Sequence, residues 1–383
     1  MNLRIAILTT ENREFFRTYD LLTPTFGSAP GALIDGFTDL PDAEVHVVSC
    51  TQKPVKSPEK LADNIFFHSV TVPKIGWMRT GYQGCIRGVR RKLREIRPDI
   101  VHGQGTERDC AISAVFSGYP NVITIHGNMR LIAKLRHAQP FSFPWNAARL
   151  EELTLPRADG IVCITEYTRK IVASVAKRTW VAPNAVERPF FKIKPVAAPI
   201  RRILCVGSVE TRKNQNGLIR AVDILGSHKN FELVFVGGTN SKSPYEREFL
   251  DLIQSRPWCR FAGFADREAL KNHLASASGL VLPSLEDNCP MVILEAMAAS
   301  VPVAAARVGG VPELLRHEDT GLLFDPLNRE AMAAAVKSLL ASNNEAMVIR
   351  ANAEARRKFH PEVIAARHLE IYKDLLSIPA CPR

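Results

Sequence analysis

Short runs of β-branched and apolar residues alternate with helix-like stretches along almost the whole chain. The runs are "RIAILTT", "EVHVVSC", "DIVHGQG", "NVITIHG" and "GIVCITE", then "RILCVGS", "FELVFVGG", "CRFAGF", "GLVLPS" and "PVAAARV". Strands that are apolar on both faces and separated by helices require a parallel sheet covered on both sides by right-handed crossovers. The fold class is therefore α/β. The rhythm breaks once, in "NAVERPFFKIKPVAAPIRR" (184–202), where prolines and basic residues replace periodic structure. That segment reads as a linker between two Rossmann-like halves, and 383 residues suit two domains. The expected division is 1–190 and 191–360, with a last helix in about 361–383 for which packing back on the first half or on the second is open.

Other features narrow the class. With 46% hydrophobic and 23% charged residues, the chain has the composition of a folded globular protein. Its opening apolar run is short and reads as a first strand, and no stretch reaches the ~18–20 apolar residues of a membrane span. The cytoplasm is the expected compartment. Eight cysteines (Cys50, Cys85, Cys110, Cys163, Cys205, Cys259, Cys289, Cys381) are scattered without a C-x-x-C pair, which argues for buried free thiols and against a zinc site or a disulfide framework.

Net charge is +11, and Arg87, Arg90, Arg91, Lys92, Arg94 and Arg97 fall within one expected helix, 85–98. A solvated helix face is one reading. The other is peripheral contact with an anionic membrane, on its inner face, where each basic residue near the surface contributes roughly 1 kcal/mol. Nucleic acid is not expected, because no stacking aromatics interleave these charges.

Two loops suit a ligand, since open parallel sheets bind beyond the carboxyl ends of their strands. In "RILCVGSVETRKNQNGLIRAV", Gly207 permits a tight turn, and Arg212 and Lys213 stand before a helix N-terminus whose N–H groups favour anions. In "GLVLPSLEDNCPMVILEAMAAS", a buried strand leads through a loop to Pro290 at a helix start. Glu295 lies inside that apolar helix, where a carboxylate needs a partner. Arg212, Lys213 or the hydroxyls of a ligand are the expected ones, and an ordinary buried ion pair is the alternative.

Taken together, "GSVETRKNQ" (207–215), "FAGF" (261–264), "PSLEDNCPMVILEAMA" (283–298), "VGGVPELL" (308–315) and "TGLLF" (320–324) resemble, in order and spacing, the retaining glycosyltransferases of family 4. "PDIVHGQG", "VITIHG" and "ADGIVCITEYTR" agree less specifically. The resemblance implies the GT-B fold, two Rossmann-like parallel-sheet domains facing a central cleft. It also implies a sugar nucleotide as donor, UDP-linked by preference and GDP-linked next, with a glycan, lipid-linked or small-molecule acceptor.

Carried over by position, the resemblance puts Lys213 and Arg212 on the diphosphate with Gly207 and Ser208, where the family often has arginine in place of Ser208. Gly263 and Phe264 would hold the base, and Glu295 the ribose. Separated from Glu295 by seven intervening residues, Asp287 stands where the family usually has Glu, near the donor sugar, and Glu286 is displaced by one. The backbone of Asn288, Cys289, Pro290 and Met291 would line the sugar, with Cys289 filling shape. His126, after the strand "NVITI", is the expected catalytic imidazole. Gly27 and Ser28, in the loop "TFGSAPGAL" (25–33), and His102, read as the end of the preceding strand, would face the acceptor. No metal or other cofactor is implied, as no Asp-x-Asp pair occurs. A glycoside hydrolase, a nucleotide-sugar epimerase of the same fold, and a non-catalytic nucleotide-sugar or membrane binder are the competing classes.

Overall fold

The computed structural model describes residues 3–226, 230–239, 243–341 and 343–377. They form two compact units, one of Met1–Ala185 with His360–Arg383 and one of Val186–Phe359. Each contains one sheet.

The first unit holds β1 (Leu3–Leu8), β2 (Ala43–Thr51), β3 (Lys60–Ala62), β4 (Ile65–Thr71), β5 (Ile100–Gln104), β6 (Asn121–Ile125), β7 (Gly160–Cys163) and β8 (Thr179–Val181). Their spatial order is β3-β4-β2-β1-β5-β6-β7-β8. Every pairing is parallel except β3 with β4. Period-2 alternation in β1 feeds two cores at once. Ile5 and Ile7 join the core beneath helices Ser28–Phe37 and Pro361–Leu376, while Ala6 and Leu8 join the core beneath helix Gln83–Ile96. All four are at most 2% exposed, so this strand cannot slip by one residue without exchanging its two cores. The last helix, Pro361–Leu376, packs on Ser28–Phe37, with the rings of Tyr372 and Phe37 stacked 6.3 Å apart.

The second unit holds β9 (Arg201–Val206), β10 (Phe231–Val236), β11 (Cys259–Gly263), β12 (Gly279–Leu282), β13 (Val303–Ala306) and β14 (Leu322–Phe324), all parallel, in the order β11-β10-β9-β12-β13-β14. Central β9 gives way to the helices on either side of the strand-end loops, and those loops carry the candidate site.

Several elements differ from the sequence reading. β3, β4, β8 and β14 were not among the apolar runs; three of them are three residues long, and β4 alternates half-buried and buried positions. Most of the 25–33 loop is helical from Ser28, because Pro30 is tolerated in a first turn where its missing N–H has no intrahelical partner. The linker contains a 3-10 turn, Arg188–Lys192, whose Phe190 and Phe191 are buried in the second unit.

The seven described cysteines are free and buried, and Cys381 lies outside the described residues. Folding nevertheless gathers Cys50, Cys85 and Asp109, whose ligating atoms come within 4.8 Å of one another, a grouping the linear spacing argued against. Among the described residues no helix is long and apolar enough to cross a membrane.

Candidate functional site

After β9 the chain turns through Gly207 at φ 151° and forms a 3-10 turn, Thr211–Lys213, closed by Asn214 in the left-handed region at φ 56°. Helix Gln215–Val222 follows. This tight entry presents Arg212 and Lys213 from one turn toward the loop after β12. There, Lys213 Nζ donates to Asp287 Oδ2 at 2.6 Å, and Ser284 Oγ donates to the same oxygen at 3.0 Å. Arg212 Nη1 donates to the Glu286 carbonyl at 2.9 Å, and Nη2 to Glu210 Oε1 at 2.9 Å. Asp287 Oδ1 and Glu286 Oε2 each lie 3.6 Å from Arg212 Nη1. The backbone joins the two loops as well, through Leu285 N–H to the Arg212 carbonyl at 2.7 Å.

Two cations thus meet three carboxylates, those of Glu210, Glu286 and Asp287. Burial pushes the Glu286 carboxyl up from its ordinary range, against the pull of Arg212. Arg212 Nε is buried and without a hydrogen-bond partner among the described residues.

Asp287 is held from a third side. Gly310 N–H donates to its carbonyl at 3.1 Å, and a Cβ on Gly309, which sits at φ 52°, would fall 1.9 Å from that same oxygen. Only glycine fits there. Beyond Asp287, Cys289 is buried, Pro290 caps helix Met291–Ala298, and the helix points its N-terminal N–H groups into the loop.

Glu295 lies in that helix, 1% exposed. Its partner is neither Arg212 nor Lys213 but Arg267, whose Nη1 donates to Glu295 Oε1 at 2.8 Å. Arg267 also reaches Glu187 Oε2 from Nε and Nη2, at 3.1 and 3.0 Å, and lies 4.5 Å over the Phe190 ring. Burial raises the Glu295 carboxyl, with Arg267 opposing the shift. Arg267 was missed in the sequence; it opens helix Arg267–Ala275 beside the capping residue Asp266, and nothing in "DREALKNH" sets it apart from a solvated first turn. Just upstream, Gly263 ends β11 and Phe264 is 72% exposed, a large apolar ring left in water. Ser208 is exposed, and its carbonyl accepts from Gln215 Nε2 at 2.9 Å.

The remaining candidates belong to the first unit. His126 follows β6 and is half-buried. Its Nε2 is 2.8 Å from Gln104 Oε1 and its Nδ1 3.2 Å from Asn184 Oδ1. Burial holds its pKa below the ordinary value, so the ring is neutral and its single N–H donates to one of the two oxygens. His102 corrects the sequence reading. It is the middle residue of β5, fully buried, between Tyr372 Oη and Thr124 Oγ1, and cannot meet an acceptor. Its side chain instead ties the last helix to the sheet. Gln104, from the same strand, bridges His102 and His126. Gly27 caps helix Ser28–Phe37 and is exposed, and Ser28 is that helix's first residue.

Residues 189–356 match the family described as Glycosyl transferases group 1, and residues 38–188 match Glycosyltransferase Family 4. An uncharacterized glycosyltransferase of Methanocaldococcus jannaschii is 31% identical over 175 residues, 45% of this chain and 45% of that protein. A GDP-mannose-dependent alpha-(1-6)-phosphatidylinositol monomannoside mannosyltransferase of Mycobacterium tuberculosis is 29% identical over 215 residues, 50% of this chain and 55% of that protein. The chain thus spans about half the length of these curated relatives.

Among solved structures, sucrose-phosphate synthase of Thermosynechococcus elongatus superposes with a TM-score of 0.75 at 19% identity, covering 98% of this chain and 99% of that one. HepE of Anabaena, in complex with UDP and glucose, gives 0.71 at 17% identity, covering 97% and 100%. The fold is GT-B, as the resemblance implied.

Proposed function

Because the chain belongs to the family 4, group 1 type of glycosyltransferases, we propose that it moves a sugar from a nucleoside-diphosphate sugar to a glycan, lipid-linked or small-molecule acceptor with retention of configuration. A role in surface polysaccharide or glycoconjugate assembly follows from that acceptor class. The observation that carries this reading is the convergence of Arg212, Lys213 and Asp287 at the strand ends of a Rossmann-like sheet, beside the N-terminus of helix Met291–Ala298.

On this reading, Lys213 and Arg212 stabilise the departing diphosphate, aided by the helix N–H groups. Asp287 and the backbone from Asn288 to Met291 hold the donor sugar. The base lies against Gly263 and Phe264, whose exposed ring supports such a role. Glu295 receives the ribose hydroxyls while Arg267 keeps its charge balanced. His126, neutral and hydrogen-bonded to Gln104, is assigned as a hydrogen-bonding group for the reaction. A phosphate oxygen of the leaving group takes the acceptor proton, so no protein base is assigned. No metal is invoked on this reading: Arg212 and Lys213 take up the diphosphate charge as the ligand displaces part of their ion pairs with Asp287 and Glu286. The donor base favoured is uridine, with guanosine next; the UDP-bound HepE and the GDP-mannose-dependent relative support one each. On the same reading the basic helix Gln83–Ile96 brings a cytoplasmic enzyme to the inner face of an anionic membrane.

The test is a thermal-shift panel with UDP, GDP, ADP and their sugar conjugates, followed by an assay for nucleoside diphosphate release. A ligand at ~100 times its dissociation constant stabilises by about 2.7 kcal/mol, a shift of several degrees. Stabilisation by one base, with release that requires an acceptor, is the expected outcome. No stabilisation by any nucleotide overturns the donor assignment, and release without acceptor turns the reading toward hydrolysis or epimerisation.

A further inference from the structure

Away from the donor loops, a groove of about 730 Å³ runs along helix Gln83–Ile96 in the first unit. One wall carries Arg87, Arg91 and Arg94, at spacings of four and three residues that bring their side chains to one helix face. The other wall is Thr71 to Pro73, at and just past the end of β4, with Ile75 at its rim.

Helix and loop approach closely where Gly84 meets Gly76; a Cβ on Gly84 would lie 2.6 Å from the Gly76 Cα. Trp77 and Tyr82, both buried in the core beneath the helix, anchor the loop that forms the rim.

Three features of this groove go together. Among the described residues, no carboxylate lies within ion-pair distance of Arg87, Arg91 or Arg94, nor of their neighbours Arg90 and Arg97. The single acid on the helix, Glu95, is taken by Lys92. No acidic residue lines the groove. Beside these guanidinium groups, none of them in direct contact with a carboxylate among the described residues, Ile75 is 73% and Met78 41% exposed.

Solvated charge alone does not call for large apolar side chains next to it, whereas a membrane interface uses both. Arginine forks bind phosphate bidentately, and apolar residues enter the acyl boundary. We infer that the groove is a docking site for the phosphate headgroup of an anionic phospholipid in a bilayer, with Ile75 and Met78 inserted beside it. The inference deepens the membrane contact proposed above and rests on it, but it uses none of the donor-site residues.

The test is co-sedimentation of the full chain with vesicles of phosphatidylcholine alone and of phosphatidylcholine with phosphatidylglycerol. Wild type is expected to bind only the anionic vesicles. Replacing Arg87, Arg91 and Arg94 together by Gln should weaken that binding on the order of 100-fold. Ile75→Ser with Met78→Ser should weaken it at high salt, where charge is screened and insertion remains. Arg90→Gln with Arg97→Gln removes two charges outside the groove and should leave affinity within about tenfold of wild type. All the replaced side chains are exposed, and melting temperature confirms that each variant folds.

Absence of wild-type binding to anionic vesicles overturns the inference. So does a loss per charge as large in the Arg90/Arg97 variant as in the groove variant, which means a diffuse basic surface. Displacement from vesicles by inorganic phosphate, with direct phosphate binding that needs the same three arginines, overturns the lipid assignment in favour of a soluble phosphate. Nucleotide stabilisation measured on the same samples separates the two proposals: vesicle binding without nucleotide binding sinks the transferase reading and leaves the docking site standing.

Discussion

Lys213 and Asp287 form a 2.6 Å ion pair in the loops after β9 and β12, so the cation best placed to receive a diphosphate is already neutralised by an acid. With Glu210, Glu286 and Asp287 around Arg212 and Lys213, the site carries more negative than positive side chains. A dianionic ligand must displace part of this network. Asp287→Asn should therefore tighten nucleoside diphosphate binding by roughly three- to tenfold, since it removes a competing carboxylate from a partly exposed pair. Lys213→Ala should weaken binding by at least tenfold. Calorimetric titration checks both. If Asp287→Asn weakens binding as much as Lys213→Ala does, the carboxylate is part of the diphosphate's binding network and not its competitor.

Arg267 and Glu295 separate a structural role from a ligand-binding one. Arg267→Ala leaves a carboxylate of 1% exposure without its cation. The expected loss is roughly 2–4 kcal/mol, below the value for a fully buried pair because the Arg267 side chain keeps 38% exposure. Arg267→Met combined with Glu295→Gln should recover most of that stability in urea unfolding, yet still fail to bind nucleotide. Recovery of both would make the pair structural only.

The same carboxylate has a pH signature. Its folded pKa is raised by burial, so the unfolded state loses its proton first as pH rises. The Glu295 contribution to stability is thus present below the unfolded value of about 4.3 and is lost as pH climbs through the folded pKa. Wild type minus Glu295→Gln, measured by unfolding at several pH values, should fall with increasing pH across that window and stay flat above it.

In the first unit the sign reverses. Burial lowers His102 and His126, and lowers His368 from 6.5 to about 4. Unfolded histidines take protons first as pH falls, so these contributions are full above about 6.5 and are lost as pH falls below it, for His368 toward about 4. His368 donates from Nδ1 to the Ile364 carbonyl, and its Nε2 is buried without a partner among the described residues. His368→Leu should lose little at pH 7.5 and gain relative to wild type at pH 5, by up to about 1–2 kcal/mol. A pH-independent difference would count against protonation of this ring as the cause.

Gly309→Ala should damage the donor loop without touching a charge. Its Cβ cannot fit beside the Asp287 carbonyl at φ 52°, so the loop must move. A stability loss of about 1–3 kcal/mol and a loss of nucleotide binding at least as large as for Lys213→Ala are expected. Normal binding would show that the position of Asp287 is not what the ligand needs.

Both sheets were legible in the linear pattern, because a strand buried on two faces must be apolar along its buried stretch, as residues 5–8 of β1 and 203–205 of β9 are. The helices, the break before β9 and the residues Lys213 and Glu295 followed from local chemistry: a glycine turn, a proline at a helix start, a charge where charge is costly; Asp287 came only from the family resemblance. Three-residue strands escaped because they hold too few residues for a period.

Tertiary structure decided the pairings. Glu295 finds Arg267, 28 residues away and from a different strand-end loop, and Lys213 spends its charge on Asp287, 74 residues distant. His102 shows the same limit. Its "HG" context matched that of His126, but one residue closes a strand and the other lies inside one, where Tyr372 of the last helix reaches it across 270 residues. Composition and period act within a turn or a strand, so they dictate which segments must be buried. Which charge neutralises which depends on the order of strands in the sheet, because only that order sets which loop ends lie side by side.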